Sequence, residues 1–141
     1  MIQKILLPTD GSEHAEKTVQ YAIDLAKLAG AQVVVMYAYS TPVTPRRRGS
    51  IALEAMKASL EEEAKEIVGE VAALVQAAGL RVSALAVQGP PAEAILRAVA
   101  EEQPDLIVMG SRGGGGLPGL RLGSVVDRVV CHAPVPVLVV K

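Results

Sequence analysis

The feature that most restricts this chain is a strict alternation of short apolar runs with longer amphipathic stretches. Ile2 to Leu7, Gln32 to Ala38, Leu80 to Val87, Asp105 to Met109 and Pro136 to Val140 are brief and apolar, as strands buried in a sheet are. Between them the apolar residues recur three and four positions apart, which is the helical period. The first such stretch carries Ala15, Val19, Ala22, Ile23 and Ala26, with Ser12 as its candidate cap and Gly30 at its end. The second and longest runs from about Ser50 to Ala78 and stops at Gly79. Met56, Leu60, Ala64, Ile67, Val71, Leu74 and Ala78 are its expected buried stripe; Glu61, Glu62, Glu63, Lys65, Glu66 and Glu70 are its wet face. The third opens at Gly89-Pro90-Pro91 and runs to about Glu102 on Ile95, Leu96 and Val99, and the fourth spans Ser124 to Cys131. Strict β-α alternation with apolar strands predicts one α/β domain over residues 1–141, with an open parallel five-stranded sheet and helices on both faces. Leu80 to Val87 alternates more than the others and belongs toward a sheet edge.

Composition narrows the partners. The chain of 141 residues has no Phe and no Trp, so its core is built from Val, Leu, Ile, Ala and Met. With 14 basic and 15 acidic residues, a net charge of −1 gives no general attraction to nucleic acid or an anionic membrane. Cys131 is the only cysteine, which excludes an intramolecular disulfide and a cysteine zinc cluster; it reads as a small buried hydrophobe. The opening residues read as a strand rather than a signal peptide, and runs such as Val33 to Tyr39 are too short to span a bilayer. The expectation is a soluble cytoplasmic protein.

Ligands on such sheets sit beyond the carboxyl ends of the strands, where the strand order reverses. The loops richest in turn chemistry follow strands one and four: Pro8-Thr9-Asp10-Gly11-Ser12, and Gly110 to Ser124. The loop after strand three, Gln88-Gly89-Pro90, is brief, which favours order 3-2-1-4-5. From Gly110 to Gly123 seven of fourteen residues are glycine. Glycines let main-chain amides approach an anion, and a helix starting at Ser124 adds unpaired N–H groups and the positive end of its dipole. Ser124 with Asp127 has capping-box spacing, and Gly123-Ser124 is a seat for a phosphate. Gly114-x-Gly116-x-x-Gly119 matches the dinucleotide fingerprint only formally. It follows strand four, does not lead straight into a helix, and lacks the acidic residue about twenty positions on. No P-loop is present, and the glycine-rich segment contains no lysine.

Gly110-x-x-Gly113, nine residues, then Gly123-Ser124 resembles the ATP-binding signature of the universal stress protein family. Ile5 to Glu13, Asp105 to Gly113 and Ala133 to Val140 extend the resemblance over essentially the whole chain. It implies the 3-2-1-4-5 sheet, bound ATP or another adenine nucleotide, and Mg²⁺ with the phosphates. By matched position it implies that Pro8, Thr9 and Asp10 line the adenosine side and that Ala38 meets adenine through its backbone. Gly110, Arg112 and Gly113 are implied beside ribose and phosphates, Gly123, Ser124, Val125 and Val126 at the phosphates, and Met109 among the nucleotide-binding residues. A homodimer through the edge strand 136–140, paired antiparallel about a two-fold axis, is implied as well. Ala38 is smaller than the aliphatic residue common in the family at this position.

Asp10 suits ribose, a phosphate-bound metal, or a turn that bonds its own backbone. Arg112 and Arg121 are phosphate partners or solvated charges, and Arg46-Arg47-Arg48 lies in an exposed, mobile loop from Ser40 to Gly49. His14 and His132 are placed at helix ends without a catalytic role. An anion-binding loop without an evident catalytic base or phosphate lysine points to a nucleotide-dependent sensor or regulator of stress response, acting on an unidentified protein partner. Two other readings stay open: a slow Mg²⁺-dependent ATPase or phosphotransferase using Asp10 or Ser124, and a nucleotide-free dimeric interaction module.

Overall fold

The computed structural model describes residues 1–12, 15–41, 51–111 and 122–141. The arginine triplet 46–48, His14, Arg112, Gly113, Arg121 and the middle of the glycine-rich segment lie outside the described residues. In chain order the elements are β1 (Lys4–Thr9), α1 (Ala15–Ala29), β2 (Gln32–Tyr39), α2 (Ile51–Ala77), β3 (Val82–Gln88), α3 (Pro91–Glu102), β4 (Leu106–Gly110), α4 (Ser124–His132) and β5 (Val137–Val140). The five strands are parallel in the order β3-β2-β1-β4-β5.

The two faces of β1 and β2 are covered by different helices because alternate side chains leave a strand on opposite sides. Ile5, Leu7, Val33 and Val35 pack with Val19, Ala22, Ile23 and Ala26 of α1 and Val68 and Val75 of α2. Leu6, Val34 and Met36 pack with Ala94, Ile95, Ala98 and Val99 of α3 and Val126 and Val129 of α4. One pair of helices per face is what right-handed crossovers require when the first two connections run one way from β1 and the last two run the other.

Pro8 decides where the sheet splits. The sequence pattern ends strand one at Leu7, but β1 continues through Pro8 and Thr9, which pair with Met36 and Tyr37 of β2. On the other side β1 pairs with β4 only at Ile5 and Leu6, whereas β4 stays paired to β5 as far as Gly110. The main-chain polar groups of a strand alternate between its two neighbours. The Lys4 carbonyl accepts from Asp105 N–H on the β4 side and the Gln3 carbonyl from Gln32 N–H on the β2 side. Counting by twos from Lys4, the N–H that Pro8 lacks belongs to the β4 side. Proline cannot extend that ladder, so β1 and β4 part there.

Two expectations fail for the same reason. On α2 the buried positions are Ala64, Val68 and Val75, with Ile67, Val71, Ala72 and Ala78 half-buried, while Met56 and Leu74 are exposed at 47% and 56%. Valine and alanine rather than the longest side chains face the sheet, and the contact stripe is turned by about one residue from the hydropathy pattern. Cys131 is exposed rather than buried, because α4 turns Val126 and Val129 inward and position 131 lies on the opposite side.

At the end of the sheet remote from the split, Asp105 Oδ2 accepts from Gln3 N–H at 2.8 Å and Lys4 N–H at 3.0 Å. These two bonds hold the carboxyl below its ordinary pKa of 3.8. A depressed carboxyl stabilises the fold above its unfolded pKa and loses that contribution as pH falls through the folded value. Asp105→Asn should therefore lower the melting temperature at neutral pH, with the gap to wild type closing below pH 3.8. A pH series of melting curves checks this; a gap that stays constant through that window would contradict it.

Candidate functional site

Beyond the split between β1 and β4 lies a cavity of about 290 Å³. That is at the lower edge of the ~300–1,000 Å³ usual for small-molecule sites. One wall is apolar: Met36 and Ala38 of β2, Pro91 and Ile95 of α3, Met109 of β4, and Val125 and Val126 of α4. The other is polar: Thr9 and Asp10 at the end of β1, Ser12 after it, and Thr18 of α1.

The turn after β1 is held by its own side chains. Thr9 Oγ1 accepts from Gly11 N–H at 3.2 Å. Asp10 Oδ1 accepts from Ser12 N–H at 2.9 Å and from the Ser12 hydroxyl. Asp10 thus acts as a turn former and lines the cavity as well, so the two readings of this residue are compatible. The Ser12 hydroxyl is engaged with Asp10, while the Ser12 carbonyl accepts from Ala15 N–H.

The glycine-rich segment is closed at its ends. Gly123 N–H donates to the Ser111 carbonyl at 2.8 Å, and Ser111 N–H donates to the Val140 carbonyl. The N-cap of α4 is Gly123, with extended φ −63° and ψ 159° and no side-chain cap, so the Ser124–Asp127 capping box is not formed. Ser124 is the first helical residue. Asp127 N–H to the Gly123 carbonyl is the first bond of the helix, so the amides of Ser124, Val125 and Val126 precede any intrahelical acceptor. They sit at the positive end of α4, whose first turn forms part of the cavity wall. The amino end of α3 reaches the same cavity through Pro91, and an exposed 3.5 Å ion pair between Glu93 and Arg128 joins the two helices.

Of the residues expected at the site, Pro8, Thr9, Asp10, Ala38, Met109, Gly110, Val125 and Val126 line one cavity. Gly123 and Ser124 stand at its α4 edge without lining it, and Arg112 and Gly113 lie outside the described residues. Ser12, Ala15, Thr18, Met36, Tyr37, Pro91 and Ile95 also line it and were not expected. For Met36 the signal was available, since it shares a strand face with Ala38, and Ser12 and Tyr37 adjoin expected residues; Ala15, Thr18, Pro91 and Ile95 enter through packing between elements distant in sequence. Among the described residues no three of His, Cys, Asp and Glu group as a metal site, and no helix is long and apolar enough to cross a membrane.

A parallel sheet whose order reverses at β1, with a cavity at that reversal, defines a doubly wound α/β domain with a ligand crevice at its switch point. The universal stress protein family model matches residues 1–141, and the chain belongs to that family. A universal stress protein of Thermus aquaticus is 43% identical over 141 residues, with both chains covered completely. Universal stress protein MJ0577 of Methanocaldococcus jannaschii is 31% identical over 155 residues, covering all of this chain and 96% of that protein. Its solved structure superposes with a TM-score of 0.85, at 33% identity over 100% of this chain and 96% of that one. A universal stress protein solved in complex with cAMP gives a TM-score of 0.74 at 27% identity, covering 99% and 97%.

Gly11 fixes the polar wall. Its φ is +75°, and a Cβ there would stand 3.2 Å from Ile67 Cγ2 of α2. Gly11→Ala should cost about 1–2 kcal/mol in denaturant unfolding, the left-handed backbone penalty alone. An unchanged midpoint and slope would show that the turn tolerates a side chain.

Proposed function

We propose that this chain binds an adenine nucleotide, ATP foremost, in the crevice between β1 and β4 and acts as a nucleotide-dependent regulator in stress response, with residues 1–141 as one binding domain. The observation that carries the reading is the pairing, in one cavity, of an apolar wall with three amides that no helix bond consumes. A flat, weakly polar base suits Met36, Ala38, Ile95, Met109 and Val126. The Ala38 carbonyl faces the β1 side, by alternation from Gln32, and suits an amino-group donor on the base. A phosphate suits the amides of Ser124, Val125 and Val126 at the start of α4. The cAMP complex of a relative 27% identical to this chain supports the same ligand class.

Asp10 is the one carboxylate on the cavity wall among the described residues, too few hard ligands to hold a divalent cation alone. Mg²⁺ in this reading arrives with the phosphates and is held by them. Arg112 and Gly113, outside the described residues, belong to the ribose and phosphate side in this reading by their matched positions alone.

The test uses the geometry of Gly123-Ser124. Proline is favoured at the first helical position, and the residue before it must be extended, as Gly123 is. Ser124→Pro removes one amide donor and keeps the helix. It should weaken ATP binding at least about tenfold, the worth of a charge-assisted hydrogen bond. Adenosine binding and the melting temperature should be unchanged, and Ser124→Ala should bind ATP nearly as wild type. Calorimetry that finds equal ATP affinity for the proline variant removes the amide cradle from the account.

The same reading includes a homodimer through β5. The Pro136 carbonyl accepts from Ile107 of β4 and the Val140 carbonyl from Ser111 just after it, so Val137 and Val139 turn their main-chain groups to the outer edge. Leu138 is 37% exposed on this edge, and exposed edges of this kind invite pairing. Light scattering should give twice the chain mass for wild type and the monomer mass for Val139→Pro, which deletes an outward N–H. A dimeric proline variant would place the contact elsewhere.

A further inference from the structure

Thr18 is the one buried polar side chain among the described residues, with 5% of its surface exposed. It lies on α1, where serine and threonine hydroxyls commonly bond a carbonyl one turn back. Among the described residues the hydroxyl has no hydrogen-bond partner. It is not sealed either, because no fully enclosed side-chain nitrogen or oxygen among the described residues lacks a partner. The space it opens on is the crevice, which Thr18 lines together with Ala15, three residues before it on the same helix face.

A hydroxyl that opens on the crevice has only water for a partner in the empty protein, so valine, which has the same shape, leaves the ligand-free fold at least as stable. The hydroxyl is accounted for if a ligand supplies the partner.

We propose that Thr18 is a specificity-determining residue whose hydroxyl bonds a ribose hydroxyl of the bound nucleotide; this rests on the nucleotide reading above. The choice of sugar over phosphate follows from the company Thr18 keeps. The polar wall holds Thr9, Asp10, Ser12 and Thr18. A carboxylate on that wall repels phosphate and accepts from hydroxyls, and a threonine hydroxyl both donates and accepts. The phosphate donors, at Ser124 to Val126, belong to α4, and the side chains of α4 pack on the opposite face of the sheet from α1. A ligand spanning the crevice therefore presents its neutral hydroxyls to α1 and its charge to α4.

The experiment is calorimetric titration of ATP, 2′-deoxy-ATP and 3′-deoxy-ATP into wild type, Thr18→Val and Thr18→Ser, with melting curves of each ligand-free protein. Thr18→Val should weaken ATP roughly fivefold, the worth of one neutral hydrogen bond, and Thr18→Ser should stay within about twofold of wild type. One deoxy analogue should bind wild type correspondingly less well and be indifferent to Thr18→Val; which analogue does so identifies the hydroxyl. The ligand-free melting temperature of Thr18→Val should equal or exceed that of wild type. Thr18→Ala replaces valine if that variant does not fold. The proposal is overturned if Thr18→Val binds ATP as wild type does, if it loses the same factor on all three nucleotides, or if its ligand-free melting temperature falls. Wild type that binds ATP beside an indifferent Thr18→Val removes this inference alone. Wild type that binds none of the three removes the nucleotide reading and this inference with it.

Discussion

The site depends on one missing hydrogen bond. β1 is the hinge of the sheet, bonded to β2 along its whole length and to β4 only over its first half. Pro8 withholds the amide that would carry the β4 ladder further, and the two strands separate at the point where the strand order reverses. Without that separation the Thr9–Ser12 turn and the start of α4 would have no common space to face. The fold contributes the rest by topology, since reversal at β1 puts α1 on one side of the opening and α3 and α4 on the other.

Around this opening several polar groups have no protein partner among the described residues. Away from the crevice, Asp105 satisfies the amides at the start of β1, and the helix ends at Ala31, Gln103 and Ala133 close with main-chain bonds. At the crevice, three amides of α4 have no helical acceptor, and the Thr18 hydroxyl has no partner among the described residues. Every helix start leaves such amides open, as α3 does after Pro90; what marks the crevice is that the start of α4 and Thr18 meet an apolar wall around one cavity. Gly11 adds a positive φ at a place where a side chain would crowd Ile67 of α2.

Much of this was legible in the sequence. Strand order followed from the contrast between the rich loops after β1 and β4 and the short Gln88-Gly89-Pro90 link, because a crevice needs loop chemistry and a simple crossover does not. Strand-end loops pointed to the crevice beside Pro8, Thr9, Asp10 and Gly110, and the family resemblance added Ala38 and Met109; all six line the cavity. What could not be read was rotation and packing. Hydropathy put Met56 and Leu74 inside, but the sheet selected Val68 and Val75, whose compact side chains allow close approach. It buried Cys131 for its chemical type, although the helix phase set by Val126 and Val129 turns it outward. It gave the cap to Ser124, whereas Gly123 takes that place and hands its own amide to Ser111. Thr18 and Ile95 reach the cavity through tertiary contacts alone, and no local pattern marks them.

The central claim is that the split beside Pro8 receives an adenine nucleotide with its phosphates on the α4 amides. Nitrogen-15 NMR of the wild-type protein titrated with Mg²⁺ and ATP addresses it residue by residue. The account predicts that the largest amide shifts fall on Ser124, Val125 and Val126, with a second group at Thr9, Asp10 and Ala38, while β3 and the far end of α1 stay still. Saturating nucleotide that leaves those amides unmoved, or that moves only residues remote from the crevice, would contradict it.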